Sequence, residues 1–366
     1  MPKIDLFQPY ALGPLSLSNR LVMNPMTRSR SDEAGLANAL MAEYYAQRAG
    51  AGLIVTEGIA PLADGKGYAR IPGLWSTEQT ESWKAVTGAV HAKGGHIFAQ
   101  LMHTGRVSHP ANMPAGSQIV APSAVALAGQ IHTDGLGMQP YPVPKALDEA
   151  GIQAVMAGFV AAARNALAAG FDGVELHAAN GYLPEQFLSP HTNQRTDAWG
   201  GSVEKRIRFV AGTAQAVAAA IGGGKVGIRI SPHGTNSGMA AYPEIEETYL
   251  KLTARLAEAD LAYIHLADHA AMGAPEIPLA LKQALRKAWP RTLVIGGSFD
   301  LASGQAAADS ALADLIGMGR AFLSNPDLVE RLRKGLPLNP PDHTTFFSPG
   351  AKGYTDYATI QQGALS

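Results

Sequence analysis

Short apolar runs recur along this chain, each followed by a longer amphipathic stretch, and that rhythm restricts the fold more than any single motif. Eight runs read as strands, at 20–24, 52–57, 96–101, 172–176, 226–231, 262–266, 293–296 and 313–317. Most are apolar at nearly every position, as parallel strands covered on both faces must be. Helical patterns fill the gaps at 39–49, 78–93, 148–169, 203–221, 244–259, 275–288, 302–311 and 326–334, with Thr77 and Ser202 as expected N-caps. Eight β/α alternations favour a closed (β/α)8 TIM barrel over an open doubly wound sheet. No linker divides residues 1–366, so one α/β domain is expected.

Two stretches break the rhythm. Residues 104–145 are rich in Pro, Gly, Ser and His and lack a helical period; they follow strand three, where an excursion would cap the catalytic face. The tail, 335–366, holds several aromatics without a clear period.

Barrel chemistry sits on the loops after the strands. Strand four runs straight into His177, Asn180 and Tyr182. His and Asn at i and i+3 share a face if the loop makes a helical turn, and both can donate to one oxygen. Such a pair clamps a carbonyl or nitro group without adding negative charge. A tyrosine, with a free pKa near ~10, is a proton donor at neutral pH. The alternative is a tyrosine packed in the core and a histidine bonded to a carbonyl. Gly296, Gly297 and Ser298 after strand seven, with Gly319 and Arg320 after strand eight, suit a phosphate, though tight turns with a surface arginine have the same spelling. Arg229 lies inside an apolar strand and must be ion-paired or bind an anion. Gln100 ends strand three and either caps it or meets a ring with alternating donors and acceptors. Thr27 follows strand one, where its hydroxyl either bonds locally or reaches a cofactor. His265 and His269 end strand six, but the further ligands that a metal needs are missing, so no metal is expected.

The formal net charge is −1, which gives no reason to expect a nucleic-acid surface. No uninterrupted apolar run approaches the ~18 residues of a membrane span. The chain has no cysteine, which excludes disulfides, thiolate metal sites and a cysteine nucleophile. With no signal-peptide pattern in residues 1–20, a cytoplasmic protein is expected.

Eight segments, in order, resemble the old yellow enzyme family: LFQPYALGPLSLSNRLVMNPMTR, LIVTEG, AQLMHTGR, the 171–209 stretch with His177, Asn180 and Tyr182, VGIRISP, VIGG, GMGRAFLSNPDL and GYTDY. The resemblance covers essentially the whole chain. It implies an FMN-bearing (β/α)8 barrel that reduces activated C=C bonds (unsaturated aldehydes and ketones, maleimides, nitroalkenes) with NADPH or NADH. By the same resemblance, Pro25, Met26 and Thr27 run along the flavin, Gly58 and Gln100 contact it, and Arg229 steadies the charge of its reduced form. Gly296, Gly297, Ser298, Gly319 and Arg320 hold the phosphate. His177 and Asn180 bind the substrate oxygen, Tyr182 gives the proton, and Tyr68, Met102 and Tyr354 shape the substrate pocket. Hydride passes from nicotinamide to FMN N5 and then to the substrate β-carbon in ping-pong order. Monomer or homodimer is expected. Two features bear on the pocket: Met102 stands where relatives often carry Trp, and the second oxygen partner is Asn180 where some carry His. Thr27 and the absence of cysteine separate the chain from the branch with a flavin-contacting cysteine. Two other classes stay open, a non-flavin barrel enzyme and a barrel that only binds FMN or a phosphorylated ligand.

Overall fold

The computed structural model describes residues 4–360. The ends of the expected domain and the last residues of the tail lie outside the described residues. Eight strands form a closed parallel barrel: β1 Leu21–Met23, β2 Leu53–Ile59, β3 Ile97–Leu101, β4 Gly173–Ala178, β5 Val226–Ile230, β6 Tyr263–Ala267, β7 Thr292–Gly297 and β8 Leu315–Met318. Closure comes from β8 on β1, with Gly317 opposite Val22. The helices are α1 Ala39–Gln47, α2 Thr77–His91, α3 Glu149–Ala168, α4 Leu183–Leu188, α5 Val203–Arg206, α6 Arg208–Ile221, α7 Ile245–Ala257, α8 Leu279–Ala288, α9 Leu301–Asp309, α10 Arg320–Ser324 and α11 Leu328–Lys334.

Strand periodicity divides the side chains into two cores. One alternate set, including Val22, Leu53, Val55, Phe98, Tyr263, Val294 and Leu315, fills the barrel and meets Leu12 and Leu17 of a two-stranded ribbon beneath it. The interior is therefore packed, as in barrels generally. Phe98 is fully buried here, and truncating it to alanine would cost about 3–5 kcal/mol. The other set, including Leu21, Ile54, Ile97, Leu101, Val174, Leu176, Ile228 and Ile264, packs outward under the helices.

Several boundaries differ from those read in the sequence. Ser76, not Thr77, caps α2, in a reciprocal capping box with Gln79. Ser202 occupies the N-cap of α5 without a side-chain bond to a helix amide, and the expected single helix 203–221 is interrupted at Ile207. Helix α8 begins only after Pro278, because the residue before a proline is driven away from helical geometry. Strand β2 continues past Glu57 through a register irregularity between Val55 and Gly58. Helix α3 is long and apolar enough, by length and composition alone, to cross a membrane; its buried face includes Phe159, Ala162 and Ala166.

The excursion at 104–145 has structure of its own. Gln130–Thr133 and Gly137–Pro140 pair antiparallel, and Val120–Ala121 pairs with Lys145–Ala146. The first of these strands reaches over the C-terminal mouth of the barrel, where Gln130, Ile131 and His132 line a cavity of about 920 Å³.

Candidate active site

The same period of two that builds the lower core raises a polar layer above it. In β4, Glu175 and His177 follow Gly173 on the inward face; β3 contributes Gln100, β5 Arg229 and β6 His265. Glu175 is fully buried and accepts three bonds: from Gln100 Nε2 at 2.8 Å, from the Tyr263 hydroxyl at 3.0 Å and from His265 Nδ1 at 2.9 Å. Burial alone would push its carboxyl up. The His265 contact, the Arg229 charge and the Gln100 bond outweigh that and hold it below the usual carboxylate range. His265 is itself kept neutral by burial, so it serves as an N–H donor.

Arg229 lines the cavity floor and is 6% exposed, yet its Nε has no hydrogen-bond partner and it makes no salt bridge among the described residues. A guanidinium keeps its charge in proteins. A buried cation left this way is strongly unfavourable unless something in the cavity pairs with it. Gln100, whose Nε2 donates to Glu175, presents its carbonyl oxygen as an acceptor. Pro25, Met26 and Thr27 form a neighbouring wall and Arg320 an edge, with the Arg320 guanidinium 3.5 Å from the Ser298 hydroxyl.

After β4 the chain does not make the helical turn that would put His177 and Asn180 on one face. Asn180 is left-handed, at φ 63°, and Gly181 follows at φ 75°. This reversal still brings Asn180 Nδ2 to 3.5 Å from His177 Nε2. It also leaves Tyr182 at the N-cap of α4, with its ring edge-on to His177 at 4.9 Å. The Asn180 amide N–H is held by the Ser231 hydroxyl at 2.9 Å, which in turn bonds Glu185. Burial, then the charge of Arg229, keeps His177 well below its usual pKa and therefore neutral. Burial also raises Tyr182, partly offset by its bond from Tyr68.

The structure gathers Pro25, Met26, Thr27, Tyr68, Gln100, Met102, His177, Asn180, Tyr182, Arg229 and Arg320 around the one cavity. One expectation needs correction. Tyr354 does not shape the pocket: it is fully buried and stacked on Tyr44 at 4.0 Å, with Arg28 and Arg30 over its ring. Gly58 is buried beside Met102, whose sulfur occupies the space a β-carbon would need there. Gly297, Ser298 and Gly319 are at least partly exposed, with the Ser298 hydroxyl 3.5 Å from Arg320 at the cavity edge, while Gly296 is buried. Gly296 turns inward, where a β-carbon would lie 2.5 Å from His265 Nε2 and 2.9 Å from Asn24 Nδ2.

Other residues reach the cavity that sequence reasoning did not single out: Arg70, the hairpin residues with Tyr141, Ala271 and Met272 after β6, and His343, Phe346 and Phe347 of the tail. The aromatic cluster of the tail was the visible signal for the last three. That tail is hung from two buried arginines. Arg28 donates to the carbonyls of Phe346 and Gly353, and Arg30 to those of Thr345, Phe346, Gly350 and Lys352. His269, paired with His265 in the sequence, instead bonds Asn180 Oδ1 at 2.6 Å.

A closed barrel with a buried cation that makes no salt bridge among the described residues, a fixed carboxamide and a neutral donor pair at one mouth fits a cofactor-dependent enzyme. The model of the NADH:flavin oxidoreductase / NADH oxidase family matches residues 5–339. A probable flavin mononucleotide-dependent alkene reductase of Leishmania infantum is 40% identical, over 96% of both chains. Morphinone reductase superposes with a TM-score of 0.93 at 42% identity, over 98% of this chain and 97% of its own. The old yellow enzyme homologue from Zymomonas mobilis gives 0.92 at 38%, over 97% and 99%. The chain therefore belongs to the NADH:flavin oxidoreductase / NADH oxidase family, the old yellow enzymes. It is an NAD(P)H-dependent flavin oxidoreductase with FMN as cofactor. The residues present fit that group: Arg229 and Arg320 supply cations for its anionic parts, and Gln100 supplies a fixed acceptor for a ring N–H.

Proposed function

We propose that the enzyme is an ene-reductase, saturating carbon–carbon double bonds conjugated to a carbonyl or nitro group in aldehydes, ketones, maleimides and nitroalkenes. The observation that carries this reading is the pairing of His177 and Asn180, two neutral donors 3.5 Å apart, beside the Tyr182 hydroxyl in one cavity. The names of the alkene and morphinone reductases among its relatives support it.

The substrate oxygen accepts hydrogen bonds from His177 and Asn180. That draws electron density from the double bond and leaves the β-carbon electrophilic. When bound, FMN supplies the hydride, taken earlier from NAD(P)H. Neutral donors suit this task, because their interaction strengthens as negative charge grows on the oxygen. Tyr182 delivers its hydroxyl proton to the α-carbon. Its raised pKa keeps that proton in place until the α-carbon becomes basic. Tyr68, 3.1 Å from the same hydroxyl, stabilises the oxygen left behind. Arg229 steadies negative charge at the cavity floor, and the Thr27 hydroxyl modulates the flavin from the wall.

The test is anaerobic mixing of the FMN-loaded, NADPH-reduced enzyme with cyclohex-2-enone, N-methylmaleimide and a nitroalkene. Flavin absorbance should return, with the saturated product formed. An enzyme that NADPH or NADH reduces, but that none of the three reoxidises, would refute the proposal.

A further inference from the structure

The oxygen clamp depends on which way the Asn180 carboxamide faces. In one orientation it offers two N–H donors. Flipped, it offers a carbonyl oxygen that repels the substrate oxygen it should bind. Nothing on Asn180 itself decides between them, since its backbone bond to Ser231 leaves the side chain free to turn. The decision comes from the loop after β6. His269 Nε2 stands 2.6 Å from Asn180 Oδ1. A ring N–H can bond only the oxygen end, so Nδ2 is turned toward His177 and the cavity.

The loop that carries His269 is itself fixed. The Asp268 amide donates to the Gly296 carbonyl at 2.8 Å, and its carboxylate meets Lys282 at 2.7 Å. The His269 carbonyl accepts from the amides of Met272 and Ala274, at 2.8 and 3.3 Å. His269 is 8% exposed, so water competes poorly for the bond. Burial, then the Arg229 charge, pulls its pKa down to about 4. It is therefore neutral at ordinary pH, with one N–H to place.

We propose that His269 is a positioning residue for substrate binding, holding the Asn180 carboxamide in its donor orientation through the Nε2–Oδ1 hydrogen bond. His269 itself does not line the cavity. This rests on the reading of Asn180 as an oxygen donor, and the experiment separates the two.

Four variants of the FMN-loaded enzyme are compared: Asn180→Ala, His269→Leu, His269→Gln and the double variant Asn180→Ala/His269→Leu. The readouts are KM and kcat for cyclohex-2-enone and the dissociation constant of 4-hydroxybenzaldehyde, an oxygen acceptor with no alkene to reduce, followed by flavin absorbance. His269→Leu should weaken the aldehyde roughly fivefold to tenfold, the scale of one hydrogen bond, and raise KM more than it lowers kcat. His269→Gln, which keeps an N–H donor, should recover most of the loss. The double variant should bind no worse than Asn180→Ala alone, because the two residues act through one contact. Parent-like binding by His269→Leu, or losses that add in the double variant, would overturn the inference while leaving the Asn180 reading intact. Parent-like binding by Asn180→Ala would overturn that reading and this inference together.

Discussion

The hydroxyls of Tyr182 and Tyr68 lie 3.1 Å apart, with their rings edge to face. Burial holds both phenols above their ordinary pKa, so the pair stays protonated through neutral pH. Tyr182→Phe should therefore leave the rate of flavin reduction by NADPH unchanged and slow cyclohexenone reduction by ~10²–10⁴. Stopped-flow measurement of the two half-reactions checks this. An unchanged oxidative half-reaction would remove Tyr182 as the proton donor.

Arg229 gives a prediction with two opposed parts. A buried cation without a hydrogen-bonded partner is unfavourable unless something pairs with it, and the carboxylate its charge supports, Glu175, keeps three hydrogen bonds of its own. Arg229→Met should therefore leave the apoprotein melting temperature equal or higher while weakening FMN at least tenfold. Thermal unfolding of apoprotein and fluorescence titration with FMN read the parts separately. A large loss of apoprotein stability would show that Arg229 is held by the protein rather than kept for the cofactor.

Gly58 and Met102 compete for one space. A β-carbon on Gly58 would strike the Met102 sulfur and approach its Cβ to 3.0 Å. Gly58→Ala should cost about 1–3 kcal/mol from overpacking and push Met102 toward the cavity, raising KM for bulky enones. Adding Met102→Ala should relieve both effects. Denaturant melts and KM values for the two variants provide the check, and a failure of the second substitution to rescue would contradict it.

His103 governs part of the acid limb of stability. It is fully buried, and burial lowers its pKa to about 3. The unfolded chain takes up that proton near pH ~6.5, but the folded chain resists until about pH 3. The stabilisation is present above pH ~6.5 and is lost as pH falls toward 3, by about 1.4 kcal/mol per pH unit across that window. His103→Asn removes this dependence. Its stability relative to the parent should rise steadily from pH 6.5 to 4 in urea melts at fixed salt, and a constant difference would exclude the assignment.

Much of the barrel is legible in the sequence, because a strand buried on both faces has no polar positions to spare and so stands out as an apolar run. Helix beginnings are less clear. Ser76 and Thr77 spell equally good caps, and only the reach of Gln79 decides between them. The hairpin in 104–145 is hidden by strands that alternate weakly and face solvent on one side. His177, Asn180 and Tyr182 are close in sequence, so their grouping could be read. Whether they served chemistry could not, because that depends on Arg229 and Gln100 brought beside them from other strands. Tyr354 shows the limit most clearly. An aromatic near the end of such a chain gives no sign of which side of its own loop it faces, and here stacking on Tyr44 takes it inward. His269 was legible as a polar group at a strand end, but its partner lies 89 residues away.

The seat of the tail has a consequence for how this enzyme can change. Arg28 and Arg30 grip residues 345–353 mainly by main-chain oxygens, which every amino acid carries alike. The side chains of His343, Phe346 and Phe347 take little part in that grip, yet they are the ones that face the cavity. Anchorage and selectivity are thus written in separate atoms of one segment. Substitutions at 343, 346 and 347 can accumulate without loosening the segment they ride on, which makes the tail an interchangeable panel for drifting between substrates.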